Sequence, residues 1–347
     1  MKILGIESSC DETAVAIVED GYKILSSVVA SQIAEHKPFG GVVPEVAARE
    51  HHKNLAHVLD EALGKKFKLD DIDAFAVTQK PGLIGALLIG VSAAKTLAWR
   101  MNKPLIAIDH IDGHIYSAYL QAKIELSEID VPMIALVVSG GHTAMFYVKN
   151  VLENELIGKT RDDAAGEAFD KVAAMLGLEY PGGPSIQESS KHGNPKSVRF
   201  PRSMIHDADY NFSFSGIKTA VLYYLRGQDA KGKRNNPEIA SVPDIAASFQ
   251  QAVVDVLTAK LIKAAKDKGV KVAAITGGVA ANKLLREQAQ AMARNAGIRL
   301  VVPALDLCTD NAAFIAGLAY HKFQAGLISD LQLDAKPYTY IRQNKRQ

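Results

Sequence analysis

Short apolar runs, each closed by a polar or glycine-containing turn, recur along the chain. The first two predict a β-hairpin around the polar turn 7–13, and a later pair predicts a second hairpin around the turn 139–143. The four predicted hairpin strands are residues 2–6, 14–18, 133–138 and 144–148.

Each hairpin is followed by a strand, a glycine-rich turn and a helix. This pattern predicts strands at 73–78 and 105–109 in the first half, and at 270–276 and 300–303 in the second. The clearest helix is predicted over 250–268, because its apolar residues recur on one face and Gly269 follows its end.

The two halves repeat one plan. Thr13 and Thr143 are 130 positions apart, Thr78 and Thr276 are 198 apart, and His110 and Asp310 are 200 apart. We therefore predict a duplicated β-hairpin-plus-βαβ unit with a linker at 121–130 and about 70 extra residues in the second half. Equivalent turns would then face each other across one cleft, where α/β sheets bind their ligands.

Composition narrows the class of protein. With 347 residues, 40 basic and 38 acidic side chains and a net charge of +2, the chain is long enough for two domains and is not a strongly basic nucleic-acid binder. Cys10 and Cys308 do not form a disulfide framework, which favours a reducing cytosol. The longest uncharged apolar stretch, 81–94, is shorter than the roughly 20 residues of a membrane span. We expect a soluble intracellular protein with no membrane association.

His110 and His114 have the spacing that places two imidazoles on one helix face, within reach of one metal ion. Asp310 occupies the equivalent place in the other half and would complete a His₂Asp site bridging the halves, of a kind that suits Fe or Zn. A zincin protease would need Glu after the first histidine, and Ile111 stands there. The alternatives are two solvated or capping histidines and an N-cap role for Asp310.

The turn 139–143 and the pair Gly277-Gly278 are glycine-containing and precede or join predicted elements. Backbone amides can approach a phosphate closely at such turns, although plain structural turns have the same composition. Asp170 lies inside a predicted helix, where capping does not explain it. Basic clusters at 65–68, 191–202, 231–234 and 342–346 are solvated faces or contacts to an RNA backbone.

Eight segments together resemble the TsaD/Kae/Gcp family, and the bacterial TsaD branch most of all. They are residues 7–13 (ESSCDET), 40–45 (GGVVPE), 110–114 (HIDGH), 138–143 (VSGGHT), 166–171 (GEAFDK), 215–219 (SGIKT), 277–282 (GGVAAN) and 308–311 (CTDN). The resemblance extends from residue 1 to about 335.

This resemblance implies an α/β fold of the duplicated actin/sugar-kinase/Hsp70-like, ribonuclease-H-like type, with two lobes and a helical insertion in the second. We expect a first lobe at 1–125, a second at 126–335 with the insertion at about 150–245, and a basic tail at 336–347. The implied activity is transfer of threonylcarbamoyl from threonylcarbamoyl-adenylate to N6 of adenosine 37 in tRNAs that read ANN codons.

The resemblance also implies the site residues and the partners. The metal, Fe²⁺ with Zn²⁺ as the alternative, would be held by His110, His114 and Asp310, with an adenine nucleotide in the cleft. The implied substrate-binding residues are Val137, Val138, Ser139, Gly140, Gly141, Asp170, Gly183 and Asn282. Asp11 and Glu12 are candidates to accept the proton of the attacking amine, although both could instead hold the loop by hydrogen bonds. TsaB and TsaE homologues would be partners, and a TsaC-type enzyme would supply the adenylate.

Two other functions fit the same fold. One is an actin-fold ATPase or kinase, and the other is a nucleotide-binding scaffold without catalysis. The helix at 83–99 predicts a surface for a protein partner, because its apolar residues cover more than one face. Ile84 and Leu88 lie beside the core-facing stripe and predict an exposed apolar surface for TsaB.

Overall fold

A computed structural model describes residues 1–121, 132–228 and 239–338. Most of the predicted linker at 121–130, the basic cluster at 231–234 and most of the tail at 336–347 lie outside these residues. The described chain divides into two compact units, and the first contains the residues up to 121 together with those from Asp310 onward. The second contains the described residues between 132 and 309.

The first unit is a five-stranded mixed sheet covered by helices. Its strands are β1 (Lys2–Glu7), β2 (Glu12–Glu19), β3 (Lys23–Ser31), β4 (Ala74–Lys80) and β5 (Leu105–Asp109). Its helices within the first 121 residues are α1 (Ile33–His36), α2 (Pro44–Leu63), α3 (Ile84–Met101) and α4 (His110–Gln121). The strand order is β3-β2-β1-β4-β5, with β1, β4 and β5 parallel.

The second unit has a sheet of the same kind. Its strands are β6 (Met133–Val138), β7 (Thr143–Asn150), β8 (Glu153–Lys159), β9 (Val272–Thr276) and β10 (Arg299–Val301). Its helices are α5 (Ala165–Met175), α6 (Gly182–Ser190), α7 (Ser215–Leu225), α8 (Val242–Asp267), α9 (Lys283–Asn295) and α10 (Leu305–Cys308). The order β8-β7-β6-β9-β10 repeats that of the first sheet.

The predicted duplication is confirmed at the level of strand register. Ile6 of β1 pairs with Val77 of β4, and Leu136 of β6 pairs with Ile275 of β9, which are equivalent positions. The predicted helical insertion is also present, because α5, α6 and α7 lie between β8 and α8. Both outer strands, β3 and β8, were missed because they are half-exposed and lack a continuous apolar run.

The end of the chain differs from the predicted lobe boundary at residue 335. Helix α11 (Ala313–Gln324) packs on the first sheet, so the chain from Asp310 onward belongs to the first unit. Close packing requires glycine at Gly5, where a Cβ atom would lie 2.7 Å from the Ala312 carbonyl oxygen. Gly113 of α4 likewise meets the Phe314 ring, and this contact sets α4 against α11.

Two helices are long and apolar enough to meet a length-and-composition criterion for a membrane span. They are α3 and α8, and the core helices of soluble proteins meet the same criterion. Helix α8 is such a core helix, since 83% of its most apolar window is buried. Helix α3 buries one face and exposes another, on which Ile84 is 47% and Leu88 is 41% exposed. The predicted exposure of these two side chains is confirmed.

Candidate functional site

The histidine pair lies where the last strand of the first sheet becomes a helix. Strand β5 ends at Asp109, whose Oδ1 accepts the backbone N–H of Ile111 (2.9 Å) and so caps the start of α4. His110 and His114 are one turn apart, both buried, with ring centroids separated by 4.5 Å. The predicted common helix face is present.

Asp310 lies against both rings. Its Oδ1 is 3.1 Å from His114 Nε2 and 3.6 Å from His110 Nε2, and one ligand atom from each residue lies within 4.8 Å of the others. Asn311 Oδ1 accepts hydrogen bonds from the backbone N–H groups of Ala313 and Phe314 at the start of α11. Asn311, and not Asp310, therefore caps this helix. All three residues belong to the first unit, which differs from the predicted bridge between halves.

The cluster fits a bound metal ion. Among the described residues, neither nitrogen of the fully buried His114 has a hydrogen-bond partner, because the 3.1 Å approach of Asp310 Oδ1 to Nε2 does not have hydrogen-bond geometry. A buried imidazole with unpaired nitrogens lowers the stability of the fold, and coordination of a metal ion would give Nε2 a partner. Two imidazoles and one carboxylate are the donor set of Fe and Zn sites that keep open positions.

Glu7, at the end of β1, fixes the His110 ring through a hydrogen bond to Nδ1. His110 Nδ1 donates to Glu7 Oε2 (3.0 Å) and lies 3.2 Å from Ser9 Oγ, which leaves Nε2 facing Asp310. Glu7 also accepts the Thr78 hydroxyl and the Ser9 backbone N–H (both 2.5 Å). Carboxylate–histidine pairs of this kind orient metal ligands. Glu7 was not predicted as a site residue, although a carboxylate ending a buried strand is a usable signal.

The protonation of this cluster follows from its charges. Burial alone would lower the pKa of His110, but the carboxylates of Asp310 and Glu7 raise it to about 9. Burial would raise the pKa of Glu7, and the opposing interaction with His110 holds it below its ordinary value. Burial and the neighbouring His110 lower the pKa of His114. These opposite shifts favour His110 as the protonated ring and His114 as the neutral ring.

The β1–β2 turn brings Asp11 and Glu12 into the neighbourhood of the cluster. Burial raises the pKa of Glu12 well above its ordinary value, and the charges of Asp11 and Asp310 raise it further. Ser31 Oγ donates to Glu12 Oε1 (3.2 Å), which holds one carboxylate oxygen. A carboxyl group with a raised pKa is suited to accept a proton near neutral pH.

A buried histidine of α2 holds this turn in place. The carbonyl oxygen of Cys10 can only accept, so His51 Nε2 donates to it (2.9 Å), and Thr13 Oγ1 donates to His51 Nδ1 (2.7 Å). Burial lowers the pKa of His51, in agreement with this neutral ring. On the other side, the backbone N–H of Leu83 donates to the Ser9 carbonyl oxygen (2.8 Å).

In the second unit, the glycine turns meet at the carboxyl ends of β6 and β9. The turn after Val138 packs against α5, because a Cβ atom at Gly166 would lie 2.5 Å from the Ser139 carbonyl oxygen. Gly277 has a φ of +90°, and a Cβ atom there would lie 2.5 Å from the Val138 carbonyl oxygen. The structure thus brings the predicted residues 137–141 next to the start of the Gly277 turn.

The remaining predicted substrate-binding residues lie on the helices around these turns. Asp170 Oδ1 accepts the backbone N–H of Gly182 (2.7 Å), next to Gly183. Asn282 caps α9 by accepting the N–H of Leu285, and its Nδ2 donates to Gln250 Oε1 (2.7 Å). Gln250 is 5% exposed and positions Asn282, a role that no local pattern indicated.

The fold and the repeated strand order define a duplicated actin-like α/β protein. Component A of the (R)-2-hydroxyglutaryl-CoA dehydratase of Acidaminococcus fermentans is similar in structure, with a TM-score of 0.54 and 17% identity, over 93% of this chain and 98% of that chain. Full-length HypF is similar with a TM-score of 0.60 and 13% identity, over 97% of this chain and 56% of HypF. At these identities the likeness shows the fold alone.

Sequence comparison is more specific. The family described as TsaD, tRNA N6-adenosine threonylcarbamoyltransferase, matches residues 23–317. A protein named tRNA N6-adenosine threonylcarbamoyltransferase in Kosmotoga olearia is 50% identical, over 98% of this chain and 99% of its own length. The protein of the same name in Thermosipho melanesiensis is 53% identical, over 97% of this chain and 99% of its own length. The chain belongs to the tRNA N6-adenosine threonylcarbamoyltransferase family, and the predicted resemblance is confirmed.

Proposed function

We propose that this chain transfers the threonylcarbamoyl group of threonylcarbamoyl-adenylate to N6 of adenosine 37 in tRNAs that read ANN codons. The observation that carries the proposal is the cluster of two buried histidines, His110 and His114, with the half-buried Asp310, in a chain of this family with identity of about half over nearly its full length. In the reaction, N6 attacks the carbamoyl carbon and forms the new C–N bond. The bond to the phosphate oxygen breaks, and AMP leaves with the electron pair.

His110, His114 and Asp310 would hold one divalent metal ion, Fe²⁺ with Zn²⁺ as the alternative. A bound ion supplies Lewis-acid polarisation of the transferred carbonyl group. Glu7 keeps the Nδ1 of His110 occupied by a hydrogen bond, so that Nε2 is the nitrogen presented to the ion. Phe314 packs 5.0 Å from the His114 ring, as measured between centroids, and helps to exclude water from this side of the cluster.

Asp11 and Glu12 are proposed to accept the proton that the attacking amine loses. The carboxyl of Glu12 has a pKa raised well above that of a free glutamate, first by burial and then by the charge of Asp11, which makes its carboxylate a stronger base. The hydrogen bonds of His51 to Cys10 and Thr13 fix the backbone on both sides of the two carboxylates.

The glycine turns of the second unit are proposed to bind the adenylate and its nucleotide product. The Cβ positions of Gly140, Gly141, Gly183 and Gly278 all face open space, so their backbone amides can be approached closely. Val137, Val138, Ser139, Asp170 and Asn282 complete the proposed set. The approachable backbone amides of a glycine-rich lining suit a phosphate ester.

Partners are proposed on the same basis. A TsaC-type enzyme would supply the adenylate, and TsaB and TsaE homologues would assemble with the chain in the cytoplasm. The exposed apolar face of α3 around Ile84 and Leu88 is the proposed TsaB contact, because exposed apolar side chains of one helix face favour a protein partner. The scattered basic clusters and the net charge of +2 lead us to expect weak tRNA binding by the chain alone.

The function is tested by nucleoside analysis of an unmodified tRNA transcript. The transcript is incubated with the chain, its partners, ATP, threonine and bicarbonate, and with His114→Ala in place of the wild type as the matched control. Threonylcarbamoyl-adenosine formed by the wild type and strongly reduced in the variant supports the proposal. Steady ATP turnover by the isolated chain, equal in the wild type and His114→Ala and without the modified nucleoside in the complete mixture, would favour an actin-fold ATPase or kinase instead. An inactive but correctly assembled wild-type complex would favour a scaffold.

A further inference from the structure

The segment that follows α6 is the most one-sidedly charged stretch among the described residues of the second unit. Residues 191–202, here called the basic loop, contain four Lys or Arg side chains and one His but no Asp or Glu. The loop begins directly where α6 ends, at Ser190. Helix α6 in turn begins at Gly182, next to Asp170, so the loop and the proposed substrate-binding turns are connected by one short helix.

The backbone of the basic loop is held firmly by α8. The N–H of Asn194 donates to Asp244 Oδ1 (2.7 Å), and the N–H of Val198 donates to Ser248 Oγ (3.1 Å). Phe200 is buried in the core of the second unit. The exposed side chains between these points are therefore presented from an ordered backbone, and binding through them does not cost the entropy of ordering a flexible loop.

Only part of the loop's charge is neutralised within the protein. Lys191 pairs with Glu188 (2.5 Å), and Arg202 pairs with Asp255 (2.9 Å). Lys196 and Arg199 are both exposed and form no ion pair among the described residues. The carboxylate nearest the loop backbone, Asp244, accepts hydrogen bonds from Asn194 and Ser241 instead. Two exposed cations therefore remain available to an anionic partner.

The basic cluster 65–68, the other one predicted from the sequence that falls wholly within the described residues, lacks this character. Lys65, Lys66 and Lys68 follow α2 and are exposed, but Asp70 and Asp71 come directly after them. Their carboxylates offset the positive charge locally, and such a mixed surface is an ordinary solvated face. The contrast favours the basic loop as the surface for a polyanion.

We propose that the basic loop contacts the phosphate backbone of the RNA substrate, with Lys196 and Arg199 each neutralising a phosphate. The inference rests on the proposed function, which makes tRNA the substrate. Helix α6 has nine residues and so spans about 13 Å. This helix separates the start of the basic loop from the proposed adenylate-binding turns, and contacts of the two cations to phosphates would position the strand without reading its sequence.

The test compares the full chain with the double variant Lys196→Gln/Arg199→Gln, and with Lys65→Gln/Lys66→Gln as a matched control of equal charge change. Binding of an unmodified tRNA transcript is measured at several salt concentrations. Each lost phosphate contact lowers the steepness of log K against log[salt] by about 0.7–0.9, so the loop variant should lose about 1.5 in slope. Its affinity should fall about tenfold at 0.1 M salt, and the control should match the wild type.

Steady-state kinetics give a second readout. Phosphate contacts that are equally strong in the ground state and the transition state affect only substrate binding. Their loss should raise KM for tRNA and leave kcat unchanged, whereas a misfolded variant would lose kcat as well. Wild-type affinity and salt slope in the loop variant, or an equal effect in the control, would overturn the proposal. Loss of partner-protein binding with unchanged tRNA binding would also overturn it. Failure of the wild type to modify tRNA would refute the proposed function itself, which is a distinguishable result.

Discussion

Replacement of His51 tests whether the β1–β2 turn must be held rigidly for catalysis. His51 is fully buried and bridges the Cys10 carbonyl oxygen and the Thr13 hydroxyl. His51→Ala leaves both partners without their hydrogen bond, and each buried group left unsatisfied costs about 1–3 kcal/mol. The variant should therefore lose about 2–6 kcal/mol locally, and the turn that carries Asp11 and Glu12 should loosen.

Two assays follow the change. Hydrogen exchange of peptides covering the turn should accelerate in His51→Ala, and kcat should fall about tenfold to a hundredfold, the range expected when a catalytic group is misplaced by about 1 Å. His51→Gln keeps a donor that can reach Cys10 and should recover part of both losses. His52→Ala removes the exposed neighbouring imidazole and is the matched control. Wild-type exchange and wild-type kcat in His51→Ala would refute the reasoning.

The pKa of His51 adds a pH dependence with a definite sign. Burial lowers its pKa in the folded protein below the ordinary value of 6.5. As the pH falls, the unfolded chain is therefore protonated at this side chain at a higher pH than the folded chain. The stability contributed by His51 is present above pH 6.5 and is lost as the pH falls from there through the pKa of the folded state. His51→Gln lacks this ionisation, and its thermal midpoint should therefore fall less between pH 7 and pH 5 than that of the wild type.

Further predictions concern the cluster, the base and the partner surface. His110→Ala and Asp310→Ala should each remove bound metal and most transfer activity while the fold remains, and full metal occupancy by elemental analysis in both would contradict the ligand assignment. Glu7→Gln should weaken metal binding by about 10–100-fold in competition with a chelator, because Glu7 orients His110; unchanged affinity would reduce Glu7 to a structural role. Glu12 can act as a base only when it is deprotonated. Because its pKa is raised, the acidic limb of the pH profile of kcat should lie above the ordinary pKa range of a glutamate, and this limb should be missing in Glu12→Gln. Ile84→Glu should abolish heterodimer formation in size-exclusion chromatography, and a folded variant that still binds TsaB at wild-type affinity would place the interface elsewhere.

Local pattern predicted the buried elements closely. The strands predicted at 105–109 and 133–138 are those of the structure, because a continuous apolar run between turn residues has few other interpretations. Helix α8 was predicted to begin at 250 but begins at Val242, after the cap of Ser241 and with Pro243 in its first turn. That start was readable from the serine and proline, a common opening of a helix.

Contacts between distant segments were not predictable in the same way. His51 bonds to residues about 40 positions away, and Gln250 bonds to Asn282 across 32 positions. A single sequence shows that such a residue is polar but not that it is buried, and burial is what gives its hydrogen bonds their importance. The clustering of His110, His114 and Asp310 was predictable because the i, i+4 histidine spacing is local and the duplication related Asp310 to His110.

The duplication also explains why the two units present different chemistry at equivalent strand ends. In the first unit, Thr78 donates its hydroxyl hydrogen to Glu7, and Glu7 in turn accepts a hydrogen bond from His110, a candidate metal ligand. The equivalent partner of Thr276 is Val137, which has no acceptor in its side chain. Accordingly, the buried Thr276 hydroxyl has no hydrogen-bond partner among the described residues. The first turn, 7–13, contains three acidic residues and suits a cation, whereas the second, 139–143, contains none and suits an anion. Divergence at these few positions is sufficient to turn one repeated scaffold into a candidate metal site in the first unit and a candidate phosphate site in the second.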